Sequence, residues 1–380
     1  MDKKNTAEIF AENLRNYRKA LGLKQADLAD KINYSVKAVS KWEKGDTLPP
    51  AQVILDICEV LGIEINVILD NTREASYYLG IDGGATKTSF VLADRSGTII
   101  SAVRLPSSNP FDIGFDRSTE ILSRGIESVT RGISKRKISC FAGLSGGVSG
   151  NMRERFKEYF GDFGFFKAEN GSDAENIIKA GLGDRDGAVI IMGTGSSCFA
   201  QKDGQLTRIG GYGYLFDGLG SGYDIGRDAI KYSLLDDNGV GEKTLLTQMI
   251  KEKTGCDTVL GNLSYFYSIN KAGIASFCPL VFEAYEKGDG VAVRILDANM
   301  SRVAELINYA ADIIGKKTDV VLVGGLTNQY GVLSPIIEEH LVNMRLSEKV
   351  SIRVYNDDVV YGALLNAGMS EADNFRVCYQ

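Results

Sequence analysis

Apolar residues recur at helical spacing throughout roughly the first seventy positions of the chain. One face of the first predicted helix carries Phe10, Leu14, Tyr17 and Leu21. Glycine is common just past a helix end, and serine is a common N-cap. By these signals further helices are predicted at 25–32, at 35–44, at about 50–61, and after Gly62. This head of the chain is therefore predicted to be all-α.

From position 77 onward the pattern changes to strands that alternate with helices. Strands are predicted at 77–81, 89–93, 98–105, 138–144 and 165–167, with a helix at about 115–133. Further apolar runs with glycine turns occupy 187–204 and 320–328. This alternation is typical of an α/β domain. A short polar linker at 71–76 separates it from the helical head.

One strand–turn–strand pattern occurs twice in the α/β part. Both 77–94 and 187–204 run from an apolar strand through a turn of glycines and hydroxyl residues into a second apolar strand. Backbone N–H groups and hydroxyls at such turns suit phosphate oxygens, and Asp82 suits a water-bound magnesium ion. A plain Asp-Gly hairpin also explains the first turn. The repetition favours two duplicated halves that face each other across a nucleotide-binding cleft.

Composition and charge exclude several classes of function. A hydrophobic content of 44% and a charged content of 24% are those of a soluble globular protein. The net charge of −6 gives no overall attraction to nucleic acid or membranes, so any DNA binding must be local. Six scattered cysteines and one histidine do not fit a zinc finger. Without an apolar signal-peptide core or a membrane-spanning run, we expect a cytoplasmic protein.

The helical head has the residue spacing of a DNA-binding motif. Gln25-x-x-Leu28-Ala29 followed by Ser35-x-x-x-Val39-Ser40-x-Trp42-Glu43-x-Gly45 resembles the Cro/lambda-repressor-type helix-turn-helix domain over about 10–69. The resemblance implies that the helix at 35–44 enters the major groove and that Gln25 contacts the DNA backbone. The residues expected to face DNA on that helix are Ser35, Val36, Lys37, Ala38, Ser40 and Lys41. A helical bundle that mediates protein contacts is the alternative.

The charges of the head agree with this orientation. Residues 1–44 contain ten basic and six acidic residues, whereas 45–70 contain five acidic residues and no basic one. The basic side is therefore the side expected to face double-stranded DNA. Two heads would bind half-sites about one helical turn apart, so a homodimer is expected.

The α/β part resembles the actin-like ATPase and sugar kinase superfamily, and within it the BadF/BadG/BcrA/BcrD ATPase family. The resemblance covers about 78–367 and rests on Asp82-Gly83-Gly84-x-Thr86-Lys87-Thr88, Asp173-Ala174-Glu175, Gly193-Thr194-Gly195-Ser196 and Gly324-Gly325. It implies a two-lobed, ribonuclease H-like kinase body. We expect the first lobe at 77–185, the second at 186–358, and a C-terminal helix at about 359–378 that returns to the first lobe.

The best-known sugar enzymes of this family are N-acetylglucosamine kinases, so the resemblance implies ATP and Mg²⁺ as cofactors. Asp82 would hold the magnesium ion. The residues expected around the nucleotide are Gly83, Gly84, Thr86, Lys87, Thr88, Gly193, Thr194, Gly195, Ser196, Gly324, Gly325 and Asn328. Phosphoryl transfer needs positioning and charge neutralisation more than covalent help from the protein.

The resemblance also implies residues that contact the sugar. Asp173 would be the general base that takes the proton of the sugar hydroxyl, although its place before a helix beginning at Ala174 equally suits an N-cap. Asn109 would hydrogen-bond the sugar, although an Asn before a proline also suits a turn. Ser145, Gly146 and Asp217 are the other expected sugar contacts.

The second lobe departs from the family in one place. The family usually reads Gly-Asp-Glu-Gly-Ser where this chain reads Asp217-Gly218-Leu219-Gly220-Ser221, so two carboxylates are missing unless Asp217 replaces one. The leading hypothesis is a DNA-binding regulator fused to a kinase of N-acetylglucosamine or a related amino sugar. A catalytically impaired sugar sensor is the alternative. An activating ATPase of radical dehydratases would need an iron–sulfur cluster, for which the cysteines show no pattern.

Overall fold

The structure is a computed structural model that describes residues 6–69, 74–84, 86–372 and 375–379. It forms two compact units, Met1–Ala75 and Ser76–Gln380. Parts of three predictions fall outside the described residues: positions 71–73 of the linker, Ala85 of the first glycine turn, and positions 373 and 374 of the predicted C-terminal helix.

The described part of the first unit is all-α, which confirms the prediction. Its helices are α1 (Thr6–Ala20), α2 (Gln25–Lys31), α3 (Val36–Lys44), α4 (Ala51–Leu61) and α5 (Ile65–Ile68). Ser35 caps α3 by accepting a hydrogen bond from the Ala38 N–H at 3.2 Å, and Gly45 ends α3. Phe10, Leu14, Val39 and Trp42 are buried in one core. Leu21 is exposed beyond the end of α1, so its predicted place on the apolar face was wrong.

The second unit begins with a five-stranded sheet in the order β3-β2-β1-β4-β5. Its strands are β1 (Tyr77–Gly83), β2 (Lys87–Asp94), β3 (Ile99–Pro106), β4 (Ile138–Leu144) and β5 (Lys167–Gly171). The helices of this lobe are α6 (Pro110–Ile113), α7 (Phe115–Val129), α8 (Met152–Gly161) and α9 (Asp173–Leu182). The strand predicted at 165–167 was placed too early, because residues Lys167–Gly171 pair in parallel with Ser139–Gly143 of β4.

A second five-stranded sheet has the same topology. Its strands are β6 (Gly187–Met192), β7 (Ser196–Lys202), β8 (Gln205–Arg208), β9 (Thr318–Val323) and β10 (Val350–Tyr355), in the order β10-β9-β6-β7-β8. Its helices are α10 (Gly222–Asp237), α11 (Leu245–Thr254), α12 (Leu263–Ser268), α13 (Lys271–Ala275), α14 (Cys278–Glu286), α15 (Gly290–Ile314) and α16 (Tyr330–Asn343). In each sheet the first strand pairs with an antiparallel strand on one side and with a parallel strand on the other: β1 with β2 and β4, and β6 with β7 and β9. This shared pairing is what a duplicated fold requires.

The chain returns to the first sheet through α17 (Val360–Asn366), which packs against α9 and β1. Gly362 lies directly against the main chain of Asn176 in α9, where a Cβ atom has no room. The predicted helix at 359–378 was too long, because α17 ends at Asn366 and Gly368 adopts a φ of 100° that interrupts a helix. Within the described ranges, no helix combines the length and the apolar character needed to cross a membrane.

Candidate functional site

Asp82 lies at the end of β1, where the structure surrounds its carboxylate with other chemistry-bearing groups. The Asn176 side-chain amide donates to Asp82 Oδ1 at 2.8 Å and to the Ile81 carbonyl at 3.2 Å. Burial, followed by the charges of Asp173 and Asp358, raises the pKa of Asp82 to about 7, although the Asn176 hydrogen bond and Lys87 act in the opposite direction. The charged form of the Asp82 carboxylate is therefore disfavoured mainly by its loss of contact with water.

Asp173 is the first residue of α9, not its N-cap. Ser172 occupies the N-cap position, and its N–H donates to Glu175 Oε1 at 3.1 Å. The alternative that Asp173 itself caps a helix beginning at Ala174 was therefore wrong. Burial raises the pKa of Asp173, although hydrogen bonds from the Ala174 N–H and the Ser145 hydroxyl and the charge of Arg208 oppose the rise. A carboxylate with a raised pKa suits a general base that works near neutral pH.

The first glycine turn presents only part of the predicted set of residues to solvent. The Gly84 N–H donates to the Lys87 carbonyl at 2.9 Å and closes the turn. Thr86 and Lys87 are exposed. Thr88 is fully buried, and its hydroxyl donates to Ser108 Oγ at 2.9 Å. Thr88 therefore packs inside the lobe beneath the turn, whereas its predicted place was beside the phosphates.

A cavity of about 440 Å³, which we call the Asp82 cavity, joins the two lobes. Asp82 and Lys87 line it from the first lobe, and Gly324, Gly325 and Asn328 line it from the second. Gly324 has a φ of 115°, and a Cβ atom there would lie 2.5 Å from the Met192 carbonyl oxygen. Only glycine allows the ends of β6 and β9 to approach this closely. The structure thus brings together predicted magnesium and nucleotide residues from opposite lobes.

The second glycine turn lines a smaller cavity of about 200 Å³, which we call the Arg208 cavity. The residues that line it include Gly195, Ser196, Arg208, Tyr214, Asp217, Leu219 and Lys271. The Ser196 hydroxyl is buried and has no hydrogen-bond partner among the residues that the structure describes. The Lys271 ammonium group lies against Gly195, where a Cβ atom would otherwise be. An unpaired hydroxyl and an ammonium group at one glycine turn form an environment that suits an anion.

Two charge interactions connect these cavities across one cleft. Asp173 interacts with Asp82 within the first lobe and with Arg208 of the second lobe. Of the predicted residues of the second turn, Thr194 is exposed and Gly193 is half-buried, and neither lines the two cavities. The Gly193 N–H donates to the Gly195 carbonyl at 2.9 Å and thereby shapes the turn.

The predicted sugar contacts fall into two groups. Asn109 caps α6, because its Oδ1 accepts from the Phe111 N–H at 3.1 Å, so the turn role weighed for it is present. A Cβ atom on Gly146 would lie 2.8 Å from Asn109 Oδ1, so Gly146 adjoins Asn109. Ser145 adjoins Asp173 in the same lobe. Asp217 lies apart from them in the Arg208 cavity, where its carboxylate accepts from the Gly213 N–H at 2.9 Å.

The departure from the family motif occupies the wall of the Arg208 cavity. Leu219 lines this cavity and packs against Gly210. Gly218 is exposed, and no heavy atom lies within 4 Å of the position of a Cβ atom there. A carboxylate side chain at 218 would therefore fit without displacing a neighbour.

Four polar residues of the cleft were missed by the sequence analysis: Asn176, Arg208, Lys271 and Asp358. Asn176 follows Asp173 by one helical turn, and that spacing is the one signal that could have identified it. Arg208, Lys271 and Asp358 reach the cleft from segments distant in sequence, for which a single sequence offers no signal.

The predicted DNA-facing surface of α3 is only partly exposed. Ser35, Val36, Lys37 and Lys41 are exposed, whereas Ala38 and Ser40 are half-buried. Gln25 Nε2 donates to Glu43 Oε2 at 2.7 Å inside the first unit. Glu43 also binds the buried Arg18, whose Nη2 donates to Glu43 Oε2 at 3.0 Å. The amide nitrogen of Gln25 is thus engaged within the unit, while Lys37 and Lys41 are exposed on α3.

Comparison with known proteins assigns both units. The profile of the BadF/BadG/BcrA/BcrD ATPase family matches residues 79–367, and a helix-turn-helix profile matches residues 14–68. The N-acetyl-D-glucosamine kinase of Dictyostelium discoideum is 31% identical over 288 residues, which are 70% of this chain and 90% of that protein. The N-acetylmuramic acid/N-acetylglucosamine kinase of Clostridium acetobutylicum is 30% identical over 312 residues, covering 78% and 99% of the two chains.

Solved structures show the same fold for the second unit. A candidate N-acetylglucosamine kinase from Chromobacterium violaceum superposes with a TM-score of 0.59 at 23% identity, covering 77% of this chain and 99% of the other. The predicted two-lobed architecture behind a helix-turn-helix head is thereby confirmed.

Proposed function

Because the chain belongs to the BadF/BadG/BcrA/BcrD ATPase family, we propose that its second unit uses ATP to phosphorylate N-acetylglucosamine or a related amino sugar. The first unit, a helix-turn-helix domain, then makes the protein a DNA-binding transcriptional regulator fused to a sugar kinase-like domain. The observation that carries the proposal is the pairing of Asp82 with Asp173, two half-buried carboxylates that interact, the first of which lines a cavity that joins both lobes.

In this proposal Asp173 takes the proton from the attacking sugar hydroxyl. Its raised pKa keeps it basic enough for this step, and the Ser145 hydroxyl and the Ala174 N–H hold the carboxylate in place. Lys87, Lys271 and those N–H groups of the two glycine turns that are not hydrogen-bonded within the turns offset the negative charge of the phosphates. Loss of the proton at the hydroxyl oxygen increases the nucleophilicity of that oxygen.

The residues present also fit a magnesium ion. Mg²⁺ is usually held through one or two carboxylates together with water and substrate phosphates. Asp82 offers such a carboxylate, and the neighbouring charges of Asp173 and Asp358 leave the local environment short of positive charge. When bound, the ion would neutralise charge on the transferred phosphoryl group. Asn176 would orient the Asp82 carboxylate toward it.

The test is an ADP-release assay over a panel of amino sugars that includes N-acetylglucosamine, N-acetylmuramic acid and glucosamine. We expect sugar-dependent ADP release that the Asp173→Asn variant loses. Absence of ADP release with every sugar, in the presence of measurable sugar binding, would favour the sensor that acts only on DNA. Gly218 and Leu219 are the observation that motivates that second reading.

The regulatory half of the proposal has its own test. We propose that the protein acts in the cytoplasm, where it has access to both ATP and DNA. We also propose that it is a homodimer that binds two half-sites one helical turn apart. A ligand changes the affinity for DNA only if it binds the DNA-binding conformation and the other conformation of the protein with different affinities. Operator affinity measured with and without sugar and nucleotide should therefore differ, and equal affinities would remove the switch from the proposal.

A further inference from the structure

The second lobe contains a third cavity, of about 400 Å³, between α10 and the α12–α13 segment. We call it the α10 groove. Besides apolar residues of these helices, Tyr214, Tyr223, Arg227, Lys231, Tyr267 and Lys271 line it. It is separate from the Asp82 cavity and shares only Tyr214 and Lys271 with the Arg208 cavity.

The charged residues of the α10 groove are all basic. Arg227, Lys231 and Lys271 line it, and no carboxylate does. Arg227 is neutralised by Asp224 and Asp228 on its own helix. Lys231 and Lys271 form no ion pair within the described part of the chain. Two uncompensated ammonium groups beside apolar walls attract an anion.

The rim of the groove exposes aromatic surface. Tyr267 is 84% exposed and Tyr214 is 42% exposed. Tyr214 stacks obliquely on Tyr223, with ring centroids 4.9 Å apart, so one side of the groove is an aromatic wall. Pockets for small molecules are lined mainly by apolar and aromatic side chains together with a few polar groups.

We propose that the α10 groove binds a small organic anion with an aromatic or aliphatic body and one acidic group. The apolar walls receive the body, and Lys231 receives the acid, while Lys271 is shared with the Arg208 cavity. The volume lies within the usual range of small-molecule sites. This ligand differs from the sugar and the nucleotide of the proposed function. Since Lys271 also lies against Gly195, the ligand contacts a residue of the catalytic cleft and is placed to act as an effector.

The experiment uses the fluorescent anion 8-anilinonaphthalene-1-sulfonate with the full chain. We expect saturable binding at a single site. Tyr267→Ala and Lys231→Glu should each weaken it by about fivefold or more, and Lys231→Arg should retain it. Tyr309→Ala and Lys157→Glu are matched controls, because Tyr309 is 55% exposed, Lys157 is exposed, and both lie outside the groove. The controls should bind the dye as the unmodified chain does.

Three results would overturn the proposal. Groove variants that bind the dye as well as the controls would place it elsewhere. Equal affinity for the neutral analogue N-phenyl-1-naphthylamine would remove the requirement for an anion. Light scattering shows whether the protein is an oligomer that dissociates on dilution. If the dye binds only after that dissociation, a second copy of the chain covers the groove. The outcome does not depend on kinase activity, so failure of this proposal and failure of the proposed function are distinguishable.

Discussion

The Asn176 side-chain amide donates a hydrogen bond of 2.8 Å to the Asp82 carboxylate. This contact joins the end of β1 to α9, the helix whose first residue is Asp173. The proposed magnesium carboxylate and the proposed general base are therefore held by one helix, so a displacement of α9 would disturb both. The same contact only partly compensates the buried charge of Asp82, because burial and two neighbouring carboxylates raise its pKa to about 7.

The raised pKa of Asp82 predicts a pH-dependent stability. Asp82 binds its proton more tightly in the folded state than in the unfolded state. The free energy of unfolding is therefore not reduced by Asp82 below about pH 4, and it decreases as the pH rises from there to about 7. Asp82→Asn should therefore raise the free energy of unfolding at pH 8 by up to about 4 kcal/mol, and by almost nothing at pH 4. Urea unfolding at several pH values, followed by circular dichroism, measures the difference.

Asp94 provides a control of opposite sign. The Ser96 hydroxyl and nearby backbone N–H groups lower the pKa of Asp94, so its stabilisation is present at neutral pH and is lost on acidification. Asp94→Asn should destabilise the protein at pH 7, and the effect should fade at low pH. A pH-independent gain in stability for Asp82→Asn would contradict the assignment of a strained, buried charge.

Asp173→Asn should lower turnover by roughly 10²–10⁴-fold, the usual share of a general base. Asn preserves the shape of the side chain but cannot accept the proton, so the affinity for ATP should remain. Asp162→Asn, at the end of α8, is a control that should leave turnover unchanged. Turnover from steady-state kinetics and ATP affinity from calorimetry separate the two effects. Undiminished turnover in the Asp173 variant would exclude this residue from the mechanism.

Restoring the family carboxylate at 218 should improve the use of N-acetylglucosamine. Gly218→Asp fits the structure, because the space around the added side chain is open. A carboxylate that hydrogen-bonds a sugar hydroxyl contributes about 1.5–3 kcal/mol, which corresponds to roughly a 10- to 150-fold rise in kcat/KM. Leu219→Glu tests the second missing carboxylate separately. If neither variant changes the relative kcat/KM values of the sugar panel, this loop does not set the specificity.

The buried Arg18–Glu43 pair should be essential to the first unit. Side chains of both residues are almost fully buried, so Glu43→Ala leaves the Arg18 charge without its partner and should cost about 3–5 kcal/mol. The double variant Arg18→Met with Glu43→Leu should cost less, because it removes both charges. Trp42 is the one tryptophan of the chain and lies in the core of this unit. Its fluorescence therefore reports the unfolding of this unit alone.

Lys37 and Lys41 should supply part of the salt dependence of DNA binding. Each is exposed on α3, and loss of one phosphate contact reduces the slope of log K against log salt by about 0.9. Lys37→Ala and Lys41→Ala should weaken binding to a random duplex, with a shallower slope measured by anisotropy between low and moderate salt. Lys157→Ala in the second unit is the control. Unchanged slopes in both α3 variants would place the DNA on another surface.

The sequence predicted best those elements whose local pattern agrees with their environment. β4 was predicted at its full length, because all seven of its residues are buried and apolar or small. The bounds of α3 followed from Ser35 and Gly45. β5 was misplaced, because Lys-Ala-Glu-Asn-Gly has little apolar character and is a strand only through its pairing with β4. Lys271 and Asp358 could not be predicted, because only the tertiary fold brings them to the cleft.

The close packing of Gly362 against the main chain of Asn176 has a consequence for folding during synthesis. The first sheet is translated early, yet the helix that completes its cover leaves the ribosome only after every strand of the second sheet. A nascent chain therefore carries an incomplete first lobe, with the surface of α9 and β1 uncovered, while the whole second sheet is being synthesised. The helix-turn-helix head has a hydrophobic core of its own, so it can fold before the first lobe is complete.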